Sequence, residues 1–369
     1  MLTFTDKSQC CGCTACASIC PKQCIQMIED KEGFLYPQIN HSVCVDCGLC
    51  EKVCPVLHPV QAKEKLVVFA AVNNNSEVRM QSSSGGIFTL LAEQTIQKGG
   101  VVFGACFDKE WNVVHRYTET LGGLSVFRGS KYVQSDMGTS FQDVKRFLDQ
   151  GREVLFSGTP CQIAGLKNYL RKSYSTLLTV EVACHGVPSP KVWNSYLSDK
   201  KNINYINFRS KCKGWKSYHM ILEYQERKEV IPSAENPYMI AFLSDLSVRP
   251  SCFACPAKIN HSQSDVLIAD FWGIDQIQPE IDDNKGCSLV MVNNSEILPL
   301  LHQLDCQLYP QNFDCALKYN SAIVKTFHQP ANRKFFFSLL SRCGFSTAYR
   351  MTTTNNIICS LVRTLYRKL

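Results

Sequence analysis

Short apolar runs rich in β-branched residues alternate with segments of helical periodicity from Leu66 onward. This alternation predicts strands at Val67–Asn73, Val101–Phe107, Glu153–Ser157 and Leu177–Ala183. It predicts helices at Gly86–Lys98, Gly138–Gln150, Pro160–Lys172 and Pro190–Asp199. Strands alternating with helices imply an α/β core. Later strands are expected at Ile203–Phe208, His219–Tyr224, Asp265–Ala269 and Ser288–Asn293, where the pattern is less regular and reads as an α+β extension. Before this core, Cys24–Asn40 reads as a hairpin with its turn near Glu29–Gly33, and His58–Lys65 as a polar linker. The last segment is aromatic and basic. Ile358, Leu361, Val362 and Leu365 recur at helical spacing beside Arg363, Arg367 and Lys368. That stripe either packs on the core or lies peripherally on a membrane or an acidic partner. The expected units are therefore 1–60, a small α+β domain; 66–330, the larger domain; and 331–369, a basic, partly helical tail.

Composition fits a globular chain: 369 residues, 45% hydrophobic and 19% charged. The longest apolar run, Leu66–Val72, is far short of the roughly 20 residues a membrane span needs. The first ten residues lack a secretory h-region, so a reducing cytoplasm is the expected location. The net charge is +7, and seven basic residues with no acidic one lie between Arg333 and the C-terminus. The remainder is balanced, which argues against nucleic acid as a partner.

Cysteine changes this picture. Ten of the 21 cysteines fall within the first 54 residues. Cys10, Cys13, Cys16 and Cys20 are spaced C-x2-C-x2-C-x3-C before Pro21. Cys44, Cys47, Cys50 and Cys54 repeat that spacing before Pro55, 34 residues later. This is the bacterial ferredoxin run, in which the fourth cysteine of each run ligates the other run's [4Fe–4S] cluster. One set is then Cys10, Cys13, Cys16 and Cys54, and the other Cys44, Cys47, Cys50 and Cys20. Cys24 has no counterpart in the second run and reads as a non-ligand. The alternative, two zinc sites, usually spaces its cysteines as separated pairs. A unit of about 60 residues buries little surface, so metal binding would stabilise it.

The ferredoxin-like run is followed in order by SSSGG, KYVQSD, VLFSGTPCQIAGLKNYL, VACHGVPSPKVW, FRSKCKGW, RPSCFAC and DVLIADFWGI. With these motifs the chain resembles the family of coenzyme F420 hydrogenase/dehydrogenase beta subunits, the group that includes hydroxymethyl chlorophyll a reductases. The resemblance covers about residues 5–295. It implies a flavin-containing oxidoreductase with FAD between one-electron clusters and a two-electron organic partner, either deazaflavin or another substrate. Its partners would be a redox protein or a small-molecule donor or acceptor. The alternative is a non-enzymatic relay subunit of a larger redox complex.

A second cysteine set gains meaning from this resemblance. Cys161 follows a predicted strand, with Thr159 as N-cap and Pro160 at the first helical position. Cys184 ends the next strand, and Cys252 and Cys255 form a C-x2-C pair. Together they number enough for a third [4Fe–4S] cluster; otherwise the pair is a redox dithiol and the others are core residues. His185 reads as a loop histidine or substrate contact. Cys106, Cys212, Cys287, Cys306, Cys315, Cys343 and Cys359 lack partner spacing, and burial is the default for most of them. No G-x-G-x-x-G or P-loop run occurs. The candidate FAD-phosphate cradle is Ser83, Ser84, Gly85 and Gly86 at a helix start, with Lys131, Lys213, Lys216 and Asp270 as further candidate contacts. Ordinary serine capping accounts for the cradle residues equally well.

Overall fold

The computed structural model describes residues 6–59, 67–258 and 262–353. The expected tail helix around Ile358–Leu365 and most of the expected linker lie outside them. The N-terminal unit holds α1 (Ala15–Ile19), the hairpin β1 (Ile25–Glu29) and β2 (Leu35–Ile39), and α2 (Leu49–Lys52). The larger unit continues with β3 (Val67–Asn73), α3 (Ser76–Gln81), α4 (Ile87–Gln97), β4 (Val101–Phe107), β5 (Val113–Thr118), α5 (Ser140–Asp149), β6 (Val154–Gly158) and α6 (Pro160–Leu170). Then come β7 (Leu177–Val182), α7 (Pro190–Leu197), β8 (Ile203–Ser210), β9 (His219–Tyr224), β10 (Lys228–Pro232) and α8 (Pro237–Leu243). The chain ends its described part with β11 (Val266–Asp270), α9 (Ile274–Ile277), β12 (Ser288–Val292), α10 (Leu298–Gln303), β13 (Cys306–Gln311), α11 (Phe313–Lys318) and α12 (Arg333–Thr353).

An eight-stranded sheet runs in the order β13-β3-β12-β11-β7-β6-β4-β5. Strands β4, β6, β7 and β11 are parallel neighbours, flanked by antiparallel pairings at both sides. Helices cover both faces, so β6 and β12 are buried at every position. A separate three-stranded antiparallel sheet, β10-β9-β8, supplies the expected α+β extension. The mixed α/β class and the small α+β unit match the pattern of the sequence. Strands β5, β10 and β13 and helices α8 and α11 add to the elements that the pattern predicts.

The N-terminal unit contributes to two hydrophobic clusters of the larger one. Phe34, from the β1–β2 turn, is completely buried with Trp193, Tyr238, Phe336 and Phe337. Helix α12, broken at Gly344, lays Phe336, Phe337, Leu340 and Phe345 into the same aromatic core. On the sheet, Cys13, Ala15 and Val53 of the N-terminal unit pack with Phe141, Ile163 and Leu166 of α5 and α6. Among the expected core cysteines, Cys106 and Cys287 are buried, but Cys212, Cys315 and Cys343 are exposed. Cys212 sits in a turn, whereas Cys315 and Cys343 occupy solvent-facing helical positions. Among the described residues, no helix is long and apolar enough to cross a membrane.

One buried histidine makes this packing pH-sensitive. His115 Nε2 lies 3.0 Å from the Ser157 carbonyl, which can only accept, so the proton sits on Nε2. Nδ1 then accepts from the Ser135 hydroxyl at 2.9 Å, and the Gln162 amide donates to that hydroxyl at 2.9 Å. Burial pushes the His115 pKa down to about 4. As pH falls below the unfolded value of about 6.5, the unfolded chain takes the proton first, so stability is lost through that window. The loss approaches roughly 3 kcal/mol near the folded pKa. Urea midpoints measured from about pH 7 down to about pH 4.5 should fall, and fall less steeply in His115→Gln.

Candidate functional site

The repeat of the N-terminal cysteines extends to the backbone. Helices α1 and α2 begin at left-handed residues, Thr14 (φ 67°) and Gly48 (φ 70°). Two residues earlier, Gly12 (φ 71°) and Asp46 (φ 51°) are also left-handed. All four obey the same 34-residue shift as the cysteines. Alternating left-handed residues turn successive amides toward one concavity, a geometry used around anionic and iron–sulfur groups.

The cysteine side chains gather in two places, with Cys50 near both. Cys16 faces Cys10, Cys54 and Cys50; burial, reinforced by their charges, pushes its thiol up to about 12. Cys54 is raised by burial, with Cys10 and Cys50 adding to the effect. Cys20, Cys44, Cys47 and Cys50 instead line a cavity of about 400 Å³, partly open to solvent. Cys24, read as a non-ligand, lines it too, its Sγ 3.3 Å from that of Cys20. Cys10, Cys13 and Cys54 are buried, whereas Cys47 is exposed.

The second cysteine set converges at the carboxyl edge of the large sheet, where loop residues of a parallel sheet gather. Thr159 and Gln162 form a capping box at the start of α6, with Pro160 at its first position, as expected. That turn presents Cys161, and the Thr159 hydroxyl lies 3.4 Å from the Cys161 Sγ. Cys184 follows β7, and a short 3-10 turn carries Cys252. Cys161, Cys184, Cys252 and Cys255 line one cavity of about 430 Å³, partly open to solvent, together with Cys11 of the N-terminal unit and His185. Burial, then the neighbouring Cys252, pushes the Cys184 thiol well up. The Lys258 ammonium holds the Cys184 carbonyl. His185 Nε2 pairs with Asp245 at 2.7 Å, and its ring packs 4.1 Å from that of Phe327. Among the described residues, no three histidine, cysteine or acidic side chains close on a point tightly enough for one metal ion. The thiols surround open space instead.

Beside this cavity, β11 ends in Asp270, on the strand adjacent to β7. Asp270 accepts from Arg209 Nη1 at 2.8 Å and from Trp215 Nε1 at 2.9 Å. Arg209 is 4% exposed, and its guanidinium lies 3.9 Å from the centre of the Tyr218 ring and 5.3 Å from that of Trp272. Its Nη1 also donates to the Tyr132 hydroxyl at 3.1 Å. Yet Arg209 Nε and Nη2 are buried with no hydrogen-bond partner among the described residues. Such orphaned donors are rare unless a group outside the chain satisfies them.

Most of the expected cradle is committed internally. Ser84 Oγ donates to the Cys287 carbonyl at 2.7 Å, and the Gly85 amide to Ser288 Oγ at 2.9 Å. A Cβ on Gly85 would lie 2.3 Å from the Ala71 carbonyl oxygen, so close packing against the sheet requires this glycine. Ser83 Oγ accepts from the Ser130 amide at 2.8 Å. Gly86 (φ 86°) turns the chain into α4. Lys131 donates to the carbonyls of Val126 and Arg128 at 2.8 and 3.0 Å, and burial pushes its pKa down to about 7. Lys216 pairs with Asp275 and Asp282. Arg209 and Lys211, which sequence reasoning misses as site residues, both lie in FRSKCKGW. Lys211 is buried and donates to the carbonyls of Arg79, Ser84 and Lys285, fixing the cradle loop.

Comparison with known proteins matches two parts of the chain. The family model for the C-terminal part of the coenzyme F420 hydrogenase/dehydrogenase beta chain matches residues 151–309, and that for the 4Fe-4S dicluster domain matches residues 9–57. The F subunit of the F(420)H(2) dehydrogenase of Methanosarcina mazei is 22% identical over 162 residues, 42% of this chain and 46% of that protein. The chain thus matches about half the length of this relative. The pyruvate synthase subunit PorD of Methanothermobacter marburgensis is 37% identical over 62 residues, 17% of this chain and 67% of that one. A chain of the F420-reducing [NiFe] hydrogenase complex from Methanosarcina barkeri superposes with a TM-score of 0.48 at 16% identity, covering 73% of this chain and 97% of that one. The chain carries the C-terminal domain of the coenzyme F420 hydrogenase/dehydrogenase beta-subunit family at residues 151–309, preceded by a 4Fe-4S dicluster domain at residues 9–57.

Proposed function

We propose that this chain is an iron–sulfur flavoprotein oxidoreductase that passes single electrons between a redox partner and FAD through three [4Fe–4S] clusters. The observation that carries this reading is the convergence of Cys161, Cys184, Cys252 and Cys255 on one cavity that Cys11 of the dicluster domain also lines. An all-thiol donor set around open space suits an iron–sulfur cluster. Cys10, Cys13, Cys16 and Cys54 would hold the first cluster. Cys44, Cys47, Cys50 and Cys20 would hold the second, and the convergent four the third. The second site, with exposed Cys47, is the entry for a redox protein or small-molecule donor. The first lies against the larger domain and leads to the third.

The flavin belongs at the carboxyl edge beside Asp270. The free Nε and Nη2 donors of Arg209 suit an anionic oxygen such as a phosphate or a flavin carbonyl. Asp270 and Tyr132 hold the guanidinium in place, while Tyr218 and Trp272 exclude water from it. The Ser83–Gly86 turn lies at the same edge, where Ser84 meets Ala269 of β11 and Lys211 fixes the loop. Bound FAD would supply the exchange between one-electron clusters and a two-electron organic substrate. The relatives make coenzyme F420, a deazaflavin, the first substrate to assay. A relay without flavin is the second reading, favoured by the internal commitment of Ser84, Gly85 and Lys131.

Anaerobic purification with iron, sulfide and flavin analysis tests both readings. Full loading gives about twelve irons, and Cys255→Ala should reduce this to about eight. A wild-type protein holding only about eight would remove the third cluster. Cys13→Ser should lose one cluster of the dicluster domain and make residues 6–59 more sensitive to protease. Arg209→Met should lose FAD absorbance at unchanged iron. Stoichiometric FAD in that variant would place the flavin elsewhere. A wild type carrying its clusters but no flavin after anaerobic reconstitution would leave the relay.

A further inference from the structure

The two cysteine runs repeat in sequence and backbone, but their electrostatic surroundings differ. Arg249 comes from the larger domain, three residues before Cys252, and is completely buried. Its Nε donates to the Cys10 carbonyl at 2.8 Å, and its Nη2 to the Leu35 carbonyl at 2.9 Å. Nη1 donates to Gln134 Oε1 at 3.0 Å. The same Nη2 lies 3.7 Å from the Cys10 Sγ, an N–H···S contact across the domain boundary. Tyr36 and Phe34 cover the guanidinium, with ring centres 4.3 and 5.3 Å away. Gly12 admits this arrangement: a Cβ there would lie 2.8 Å from Arg249 Nη1. The acids nearest this corner are already engaged, Asp30 with Lys7 and Glu32 with Arg333.

The position equivalent to Gly12 in the second run is Asp46. Its carboxylate lies 3.8 Å from the Sγ of Cys44, the counterpart of Cys10. Thus one run has a buried cation at its first sulfur, and the other has an exposed anion there. Adding an electron to a cluster adds negative charge. A buried cation with an N–H···S contact stabilises that reduced form, and a nearby carboxylate opposes it. Solvent screens Asp46 but not Arg249, so the arginine is the larger influence.

We propose that Arg249 raises the reduction potential of the cluster held by Cys10, Cys13, Cys16 and Cys54 above that of its repeat partner, with Asp46 adding to the difference. Electrons entering at the exposed second site then run downhill to the buried first one. Arg249 is a positioning residue that acts through a sulfur and not on substrate. This inference rests on the cluster assignments of the preceding section.

The test is an EPR-monitored redox titration of the anaerobically reconstituted full chain, with iron measured on each sample. The wild type should show two resolved dicluster potentials. Arg249→Met should lower the higher one while leaving the lower one and the iron content in place. A tenfold fall in the reduced-to-oxidised ratio at fixed solution potential, about 59 mV for one electron, is the smallest shift expected. Arg249→Lys should retain part of the elevation. If Arg249→Met fails to assemble, Asp46→Lys on its exposed turn decides the matter, because it should raise the lower potential and narrow the gap. Unchanged potentials in an iron-replete Arg249→Met or Asp46→Lys protein would overturn the proposal. Loss of the dicluster iron in the wild type would overturn the assignments beneath it.

Discussion

Strand polarity is the constraint on which this structure depends. Strands β4, β6, β7 and β11 run the same way, and β3 shares their direction through β12. Every loop leaving their carboxyl ends must therefore emerge on one edge. Thr159–Cys161, Cys184, Asp270 and the Ser83–Gly86 turn meet there although they are spread over some 190 residues of chain. The N-terminal unit packs onto the same edge region through α1 and α6. Gly165 is part of that contact, since a Cβ on it would lie 2.8 Å from the Cys13 Sγ. The smallness of this one residue keeps the dicluster cysteines close to the larger domain.

What is legible in the sequence is what is local. Ferredoxin spacing lies within runs of eleven residues, and buried parallel strands appear as continuous apolar stretches, so neighbouring residues alone reveal both. Thr159, Pro160 and Cys161 are legible for the same reason, because a capped helix start is a short-range signal. Strands β10 and β13 are partly exposed and lack that signature. Arg209, Lys211 and Arg249 are charged residues whose roles depend on partners between 60 and 240 positions away. Single-residue inspection cannot find such partners, although all three stand inside motifs that mark the family. The cradle illustrates the opposite failure. In the sequence Gly85 reads as open backbone for a phosphate, but the missing side chain is needed for contact with β3 and β12.

Charge also reads differently once the chain is folded. Arg333 belongs to the basic C-terminal segment, yet it is 2% exposed and makes a two-pronged pair with Glu32 of the β1–β2 turn. It also donates to the Val248 carbonyl at 2.7 and 2.9 Å. Part of the apparent basic tail is therefore a tie between the two units. Arg79 is likewise buried, paired with Asp283 and bonded to the Gly286 carbonyl.

Burying Arg79, Arg209, Lys211, Arg249 and Arg333 in one chain is costly unless each is matched by hydrogen bonds and opposite charge. Carbonyls and carboxylates satisfy Arg79 and Arg333, and three carbonyls hold Lys211, whose pKa burial pushes down to about 7. Arg209 retains free donors, and Arg249 is bonded to two carbonyls, an amide and a sulfur but to no carboxylate. These two are the residues placed beside the proposed flavin and the proposed first cluster, both anionic when loaded. The incomplete compensation of Arg209 and Arg249 is thus explained by the cofactors the chain is proposed to carry. Cofactor loading would then supply the missing negative charge and join the two units electrostatically as well as through their shared hydrophobic clusters.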